Sequence, residues 1–318
     1  MSKIKSVNYV FCFASFGIFR STSEMKLLVS ICYIAIIACV IAKSKEDVIL
    51  WPNGAPGEGG YEISPETTIS PKNKSDVLRV KNVSIPTIKY FPAPKELSNG
   101  SAVLVCPGGG YNILAIEHEG TDVCKWLNSI GVHAILLKYR VPRRIDREKH
   151  EAPLEDAQRA LGIIRSDSKK WGIDPNKIGI LGFSAGGNLA VMASTSFKSR
   201  IYSKVDRNDE ISCRPNFTIL IYPAYLVDRK ERKDLFPEIK VTSDCPPFFI
   251  AHTGDDHVPA EGSALLYLKL EKMGVTGNEL HLYPFGGHGY GIKKTNKVVS
   301  SWPERVESWM KSLNFLSK

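Results

Sequence analysis

The chain has little cysteine, 7 residues in 318, and their spacing builds neither a metal site nor a dense disulfide framework. It lacks a Gly-Lys-Ser or Gly-Lys-Thr step after its glycine-rich loops, which excludes a phosphate-cradling loop. It lacks a His-Glu-x-x-His repeat, which removes the usual helix-borne zinc site. Its longest apolar run, residues 27–42, is somewhat short for a membrane span. Lys and Arg outnumber Asp and Glu by 42 to 33, a formal charge of +9, yet they are scattered and no DNA- or RNA-binding motif accompanies them. The surplus therefore reads as solvated faces, with an acidic polymer or an anionic surface as the lesser alternative.

What is present suits a folded domain with a large core. Hydrophobic residues make up 43% and charged residues 24% of the chain, an ordinary globular balance. The N-terminus reads as a targeting segment: one lysine after Met25, the apolar run, then a polar, charged stretch. Cleavage after Ala42 leaves Val40 and Ala42 as the small residues before the cut. Alternatively, Ile36-Ile37-Ala38-Cys39 loosely matches a bacterial lipoprotein box with Cys39 as the lipidated residue, and a single membrane anchor is the plain alternative. Residues 1–24 then read as an upstream extension before a start at Met25, residues 25–42 as a signal peptide, and residues 43–318 as one domain. Beyond the leader only Cys106, Cys124, Cys213 and Cys245 remain, and export permits a disulfide among them without requiring one.

Apolar periodicity predicts strands at 77–83 and 85–90 near a sheet edge, then strands at 101–106, 132–139, 178–181, 218–222, 248–252 and 279–283. Helical spacing covers 119–130, 154–171, 188–193, 264–273 and 303–316. Such alternation implies a mostly parallel sheet with helices on both faces. The helix over 154–171 should bury Leu154, Ala157, Leu161 and Ile164 and turn Asp156 and Arg159 elsewhere. Two long irregular segments, 143–153 and 224–246, follow strands; the second forms either a rim over a pocket or a solvated loop.

The chain is organised around Gly182-Phe183-Ser184-Ala185-Gly186, between a strand pattern and an Ala-rich helical one. Small residues two before and two after the serine allow a sharp strand-to-helix turn that exposes the hydroxyl, a nucleophile elbow. A serine hydroxyl needs a base, an orienting carboxylate and donors for an oxyanion. Of 7 histidines, His288 is the last, lies just past the final predicted strand, and is flanked by glycines in FGGHGYG. The carboxylate comes from His252-Thr253-Gly254-Asp255-Asp256-His257-Val258-Pro259, where either aspartate can orient the base. A metal site of His252, Asp255, Asp256 and His257 is the competing reading; a triad leaves it without a task. Pro107-Gly108-Gly109-Gly110 follows an apolar strand, and its bare backbone can bring N–H groups to a substrate oxygen, joined by the N–H of Ala185.

With these pieces placed, the chain resembles the α/β-hydrolase superfamily, and within it the secreted bacterial acetylxylan or feruloyl esterases and hormone-sensitive-lipase-like enzymes. The matching stretches are LWPNGAPG, VCPGGGYNILAIEHEG, LKYRVP, DAQRAL, GILGFSAGGNLA, HTGDDHVP and LYPFGGHGYG. The lipase-like relatives carry His-Gly-Gly-Gly where Pro107 precedes the glycines here. The resemblance implies Ser184 as nucleophile, His288 as base, Asp255 as orienter (related hydrolases place the acid with two residues between it and a Val-Pro step), and Gly109, Gly110 and Ala185 as oxyanion donors. It implies an exported enzyme acting on acetyl or hydroxycinnamoyl esters of xylan, with no cofactor, no metal and no nucleic-acid partner. A general carboxylesterase, an amidase or peptidase of this fold, and a non-catalytic carbohydrate-binding lipoprotein are the alternatives.

Overall fold

Successive residues of a strand point to opposite faces of its sheet, so AVLVC at residues 102–106, buried throughout, requires an apolar layer on each side. The computed structural model supplies both. Leu104 belongs to one core cluster with Ile135, Ile180, Leu189 and Leu266, whereas Val103 and Val105 belong to a second with Val123, Leu127, Phe249 and Trp309. The structure describes residues 47–73 and 76–317; the leader expected at 25–42, with Cys39, lies outside them. The second compact unit of the chain begins at Asp47.

In chain order the strands are β1 (Val48–Ile49), β2 (Thr67–Ile69), β3 (Arg79–Lys81), β4 (Thr87–Phe91), β5 (Ala102–Cys106), β6 (Ile113–Leu114), β7 (His133–Lys138), β8 (Ile178–Phe183), β9 (Phe217–Ile221), β10 (Phe248–Thr253) and β11 (Glu279–Tyr283). The main sheet runs β1-β4-β7-β5-β8-β9-β10-β11. Its pairings are antiparallel at β1/β4 and β4/β7 and parallel from β7 to β11. Helices α1 (Asp122–Ser129) and α6 (Trp302–Ser312) cover one face, and α2 (Glu151–Ser166), α4 (Ser184–Thr195) and α5 (Glu261–Lys272) the other; α3 (Ser168–Trp171) is a single turn after α2. This is the expected α/β architecture with the early strand β4 toward one edge.

Three local expectations need correction, each for a tertiary reason. The strand expected over 77–83 does not join the main sheet. Its core, β3, pairs with β2 and β6 in a separate three-stranded sheet, and so clamps the segment that follows Gly108-Gly109-Gly110. The helix expected over 119–130 enters through a π-helical turn, Glu117–Thr121, in which His118 and Glu119 are buried. The helix expected over 154–171 breaks at Asp167, and Gly172 ends α3 in a left-handed conformation.

Asp156 and Arg159 do not turn to solvent, because α2 is buried almost all round. A helix buried on its polar side must neutralise its charges internally. Asp156 lies against Arg140, whose side chain has no exposure: Nε meets Asp156 at 3.0 Å, Nη2 meets Glu155 at 2.6 Å and Nη1 meets Glu58 at 2.9 Å. Trp51 donates its indole N–H to Asp156 at 2.7 Å, and Arg159 pairs with Asp206 and Asp209. The lead-in 48–56 is thereby fixed through a side chain that its sequence pattern did not single out. Segment 224–246 is a packed rim: Leu226, Val227, Ile239 and Val241 are buried, while residues 229–234 are exposed. Cys106, Cys124, Cys213 and Cys245 are free and buried, and no helix among the described residues is long and apolar enough to cross a membrane.

Replacing Arg140 by Met leaves the Asp156 carboxylate buried without its cation, which costs about 3–5 kcal/mol. Urea unfolding should show that loss in the variant; a change below about 1 kcal/mol would contradict the account of the network.

Candidate active site

The strand-to-helix turn at Ser184 follows from what its neighbours must avoid. Ser184 itself has φ +51°, a left-handed conformation that costs a non-glycine residue of order 1–3 kcal/mol. The turn closes so tightly that a Cβ on Gly186 would lie 2.1 Å from the Cys106 carbonyl oxygen, so only glycine fits there. The hydroxyl consequently stands at the C-terminal edge of the parallel strands, where loops after β5, β10 and β11 converge.

Ser184 Oγ lies 2.8 Å from His288 Nε2, and His288 Nδ1 lies 2.7 Å from Asp256 Oδ2. The structure therefore corrects the expectation for the carboxylate: Asp256, not Asp255, meets the imidazole. Adjacent residues at the end of a strand project in different directions, and only Asp256 turns inward. Its side chain has no exposure, and it also meets His252 Nε2 at 3.2 Å and accepts the Val258 N–H at 2.8 Å. Burial pushes the Asp256 carboxyl up, but hydrogen bonds from His252, His288 and the Val258 N–H outweigh it and hold the group well below the usual carboxylate range. Asp255 faces outward and accepts the N–H groups of Gly286 at 2.9 Å and Gly287 at 2.7 Å. These bonds, that of Gly287 foremost, lower its pKa and fasten the backbone just before His288.

Gly109 and Gly110 line the same cleft as Ser184 and His288. Gly109 has φ +137°, and a Cβ there would lie 2.0 Å from the Ile113 carbonyl oxygen. Ala185 occupies the first turn of α4, where backbone N–H groups lack intrahelical acceptors. Gly108 is engaged elsewhere: its N–H donates to Glu119 Oε2 at 2.7 Å. The other Glu119 oxygen accepts the Tyr222 hydroxyl at 2.8 Å, and that hydroxyl accepts the Gly291 N–H at 2.9 Å. One buried carboxylate thus ties the glycine loop after β5 to the histidine loop after β11. The sequence assigned Glu119, Tyr222 and Ser263 no role, and it offered His252 as one of 7 candidate bases and as a metal ligand, not as a partner of the aspartate. Ser263 meets His252 Nδ1 at 2.8 Å. Each lies far from its partner along the chain or on another element, so periodicity carries no signal for it, although Glu119 falls within the VCPGGGYNILAIEHEG match.

Asp256, His257 and His288 offer ligand atoms within 4.8 Å of one another, but Asp256 Oδ2 and His288 Nδ1 are already bonded to each other. The cleft above them has a volume of about 470 Å³. Its walls include Arg79 from β3, Ile113 from β6, Tyr225 and Arg229 from the rim, and Lys293 from beyond β11.

The BD-FAE family model matches residues 90–222. An acetylxylan esterase of Xylanibacter ruminicola is 31% identical over 242 residues, 69% of this chain and 47% of that protein. Endo-1,4-beta-xylanase B of Butyrivibrio fibrisolvens is 30% identical over 221 residues, 63% of this chain and 34% of that protein. The chain thus spans about half or less of the length of these two relatives. An acetyl ester-xyloside bifunctional hydrolase from Caldicellulosiruptor lactoaceticus superposes with a TM-score of 0.68 and 35% identity, covering 86% of this chain and 97% of that one.

Because the folded Asp256 pKa lies below its unfolded value of about 4, its contribution to stability is fully present above that unfolded value and is lost progressively as pH falls below it toward the folded value. The difference in unfolding free energy between wild type and Asp256→Asn should therefore shrink from pH 7 to pH 3. A difference that stays constant across that range would show that Asp256 is not stabilised as a carboxylate.

Proposed function

This chain belongs to the α/β-hydrolase superfamily, and from that premise we propose that it is a serine esterase removing acetyl or feruloyl groups from xylan-type plant polysaccharides. The observation that carries the reading is the continuous chain from Ser184 Oγ through His288 to the buried Asp256, with steps of 2.8 and 2.7 Å, beneath a cleft walled by Gly109 and Gly110. The similarity to the acetylxylan esterase and to the acetyl ester-xyloside hydrolase supports the ester and the sugar.

In the proposed reaction Ser184 Oγ attacks the ester carbonyl carbon while His288 Nε2 takes its proton. The tetrahedral oxyanion meets N–H groups of Gly109, Gly110 and Ala185, donors held in place before charge develops. Collapse breaks the bond to the sugar oxygen, which leaves with the proton returned by His288. A water, deprotonated by the same imidazole, then attacks the acyl-enzyme, and the second collapse releases the acid and restores Ser184. Asp256 holds the imidazole with Nε2 toward the serine and stabilises its cation. In this reading the enzyme acts on a polymer outside the cytoplasm, a location that the leader expected at 25–42 supports.

Acetate and ferulate release from acetylated and feruloylated xylan fragments, measured for wild type and Ser184→Ala side by side, tests this. Release by wild type alone is the expected result; no release of either acid, despite activity on a small aryl acetate, would overturn the xylan assignment. Asp256→Asn should lower kcat by about 10³–10⁴-fold. Asp255→Asn, which alters only the fastening of the loop backbone, should lower it by about tenfold or less. Equal losses in the two variants would overturn the division of labour between the aspartates.

A further inference from the structure

The cleft over Ser184 is rich in positive charge. Arg79, Arg229 and Lys293 line it; Arg79 is paired with Asp76, whereas Arg229 and Lys293 have no ion-pair partner among the described residues. Arg79 and Lys293 share that lining with His118. The acid in that wall, Glu119, is turned to Gly108 and Tyr222 and is 3% exposed, so it offers the opening no carboxylate.

A second cleft adjoins the first. It has a volume of about 490 Å³ and includes Asn112, Arg143, Lys149 and one acid, Glu148, in its lining. The two share a wall: Asn112 donates its amide to the carbonyl of Gly110 at 3.2 Å, and Lys149 Nζ lies 5.1 Å from the centre of the Tyr225 ring, whose residue lines the first cleft. Arg143 has no ion-pair partner among the described residues. Positive charge thus continues from the serine, past Tyr225, into the neighbouring cleft. Cations brought together without partners repel one another, and an anionic ligand relieves that repulsion.

Resting on the esterase reading, we propose that the alcohol side of the substrate is an acidic oligosaccharide, with a uronic acid carboxylate held by Arg229 and Lys293 and further carboxylates reaching Arg143 and Lys149. The two clefts suit a chain of linked sugars better than a compact ester, because their cations lie on both sides of Tyr225. Acetyl groups would be removed preferentially where an acidic side group stands nearby, and neutral stretches of polymer would be poorer substrates.

The test uses Ser184→Ala, which retains acetylated ligands, and calorimetric titration with acetylated xylo-oligosaccharides that carry or lack glucuronic acid. At about 50 mM salt the acidic ligand should bind about tenfold tighter than the neutral one, and about 500 mM salt should shrink that ratio. Adding Arg229→Gln or Lys293→Gln should reduce the ratio by about three- to tenfold each. Equal binding of the two ligands, or a ratio untouched by salt and by both substitutions, would overturn the proposal. Tighter binding of single-stranded DNA or of anionic phospholipid vesicles than of the acidic oligosaccharide would overturn it in favour of phosphate. In a parallel arm wild type is given aryl hemisuccinate and aryl acetate; preference for the hemisuccinate without preference for the acidic sugar would move the carboxylate to the acyl group. Turnover of aryl acetate reports on the esterase reading by itself, since the titration requires no hydrolysis.

Discussion

A carboxylate without exposed atoms at the end of β10 governs this site. Ionised and buried, Asp256 is tolerable only where donors surround it. His252, His288 and the N–H of Val258 provide them. Each donor in turn fixes an element: His252 belongs to β10 and is held by Ser263 of α5, Val258 sets the turn after the strand, and His288 carries the loop from β11 back over Ser184. The neighbouring Asp255 completes the arrangement from outside by fastening the backbone at Gly286 and Gly287. Two consecutive aspartates thereby position one histidine, one through its ring and the other through its loop.

A second buried carboxylate makes the corresponding link on the opposite side of the serine. Glu119 reaches Gly108 directly and Gly291 through Tyr222, which couples the glycine loop after β5 to the His288 loop after β11. The π-helical turn at Glu117–Thr121 brings Glu119 into that position, in keeping with the frequent use of such turns at functional sites. In the proposed reaction, these contacts and the strained φ of Ser184 would hold the reacting groups in place before a substrate arrives, and a site whose dipoles need not reorganise is the effective one. The same chemistry serves stability elsewhere, where Arg140 and Arg159 neutralise the acids of α2 and its neighbours.

Charge is distributed by depth. Inner carboxylates are consumed by hydrogen bonds, while the open walls carry arginine and lysine from segments remote in sequence: Arg79, Arg143, Lys149, Arg229 and Lys293. Along the chain these residues look scattered, which is why the excess of basic residues read as solvated faces. Folding gathers them on one rim, because β3 clamps the loop after the glycines and segment 224–246 packs its apolar residues inward.

Local pattern carried much of the rest. The continuous apolar run of β5, the elbow around Ser184, and the order of Ser184, an aspartate and His288 were legible because each depends on neighbouring residues or on chain order. By itself the sequence determined the alternating α/β architecture, the elbow, the glycine loop and the identity of the serine and histidine that meet. Tertiary structure alone decided between Asp255 and Asp256, buried Asp156 and Arg159, sent β3 to a second sheet, and recruited Glu119 and Tyr222. The physical reason is the same in each case. Periodicity records which residues avoid water, whereas the placement of a buried charge depends on partners that arrive from other elements.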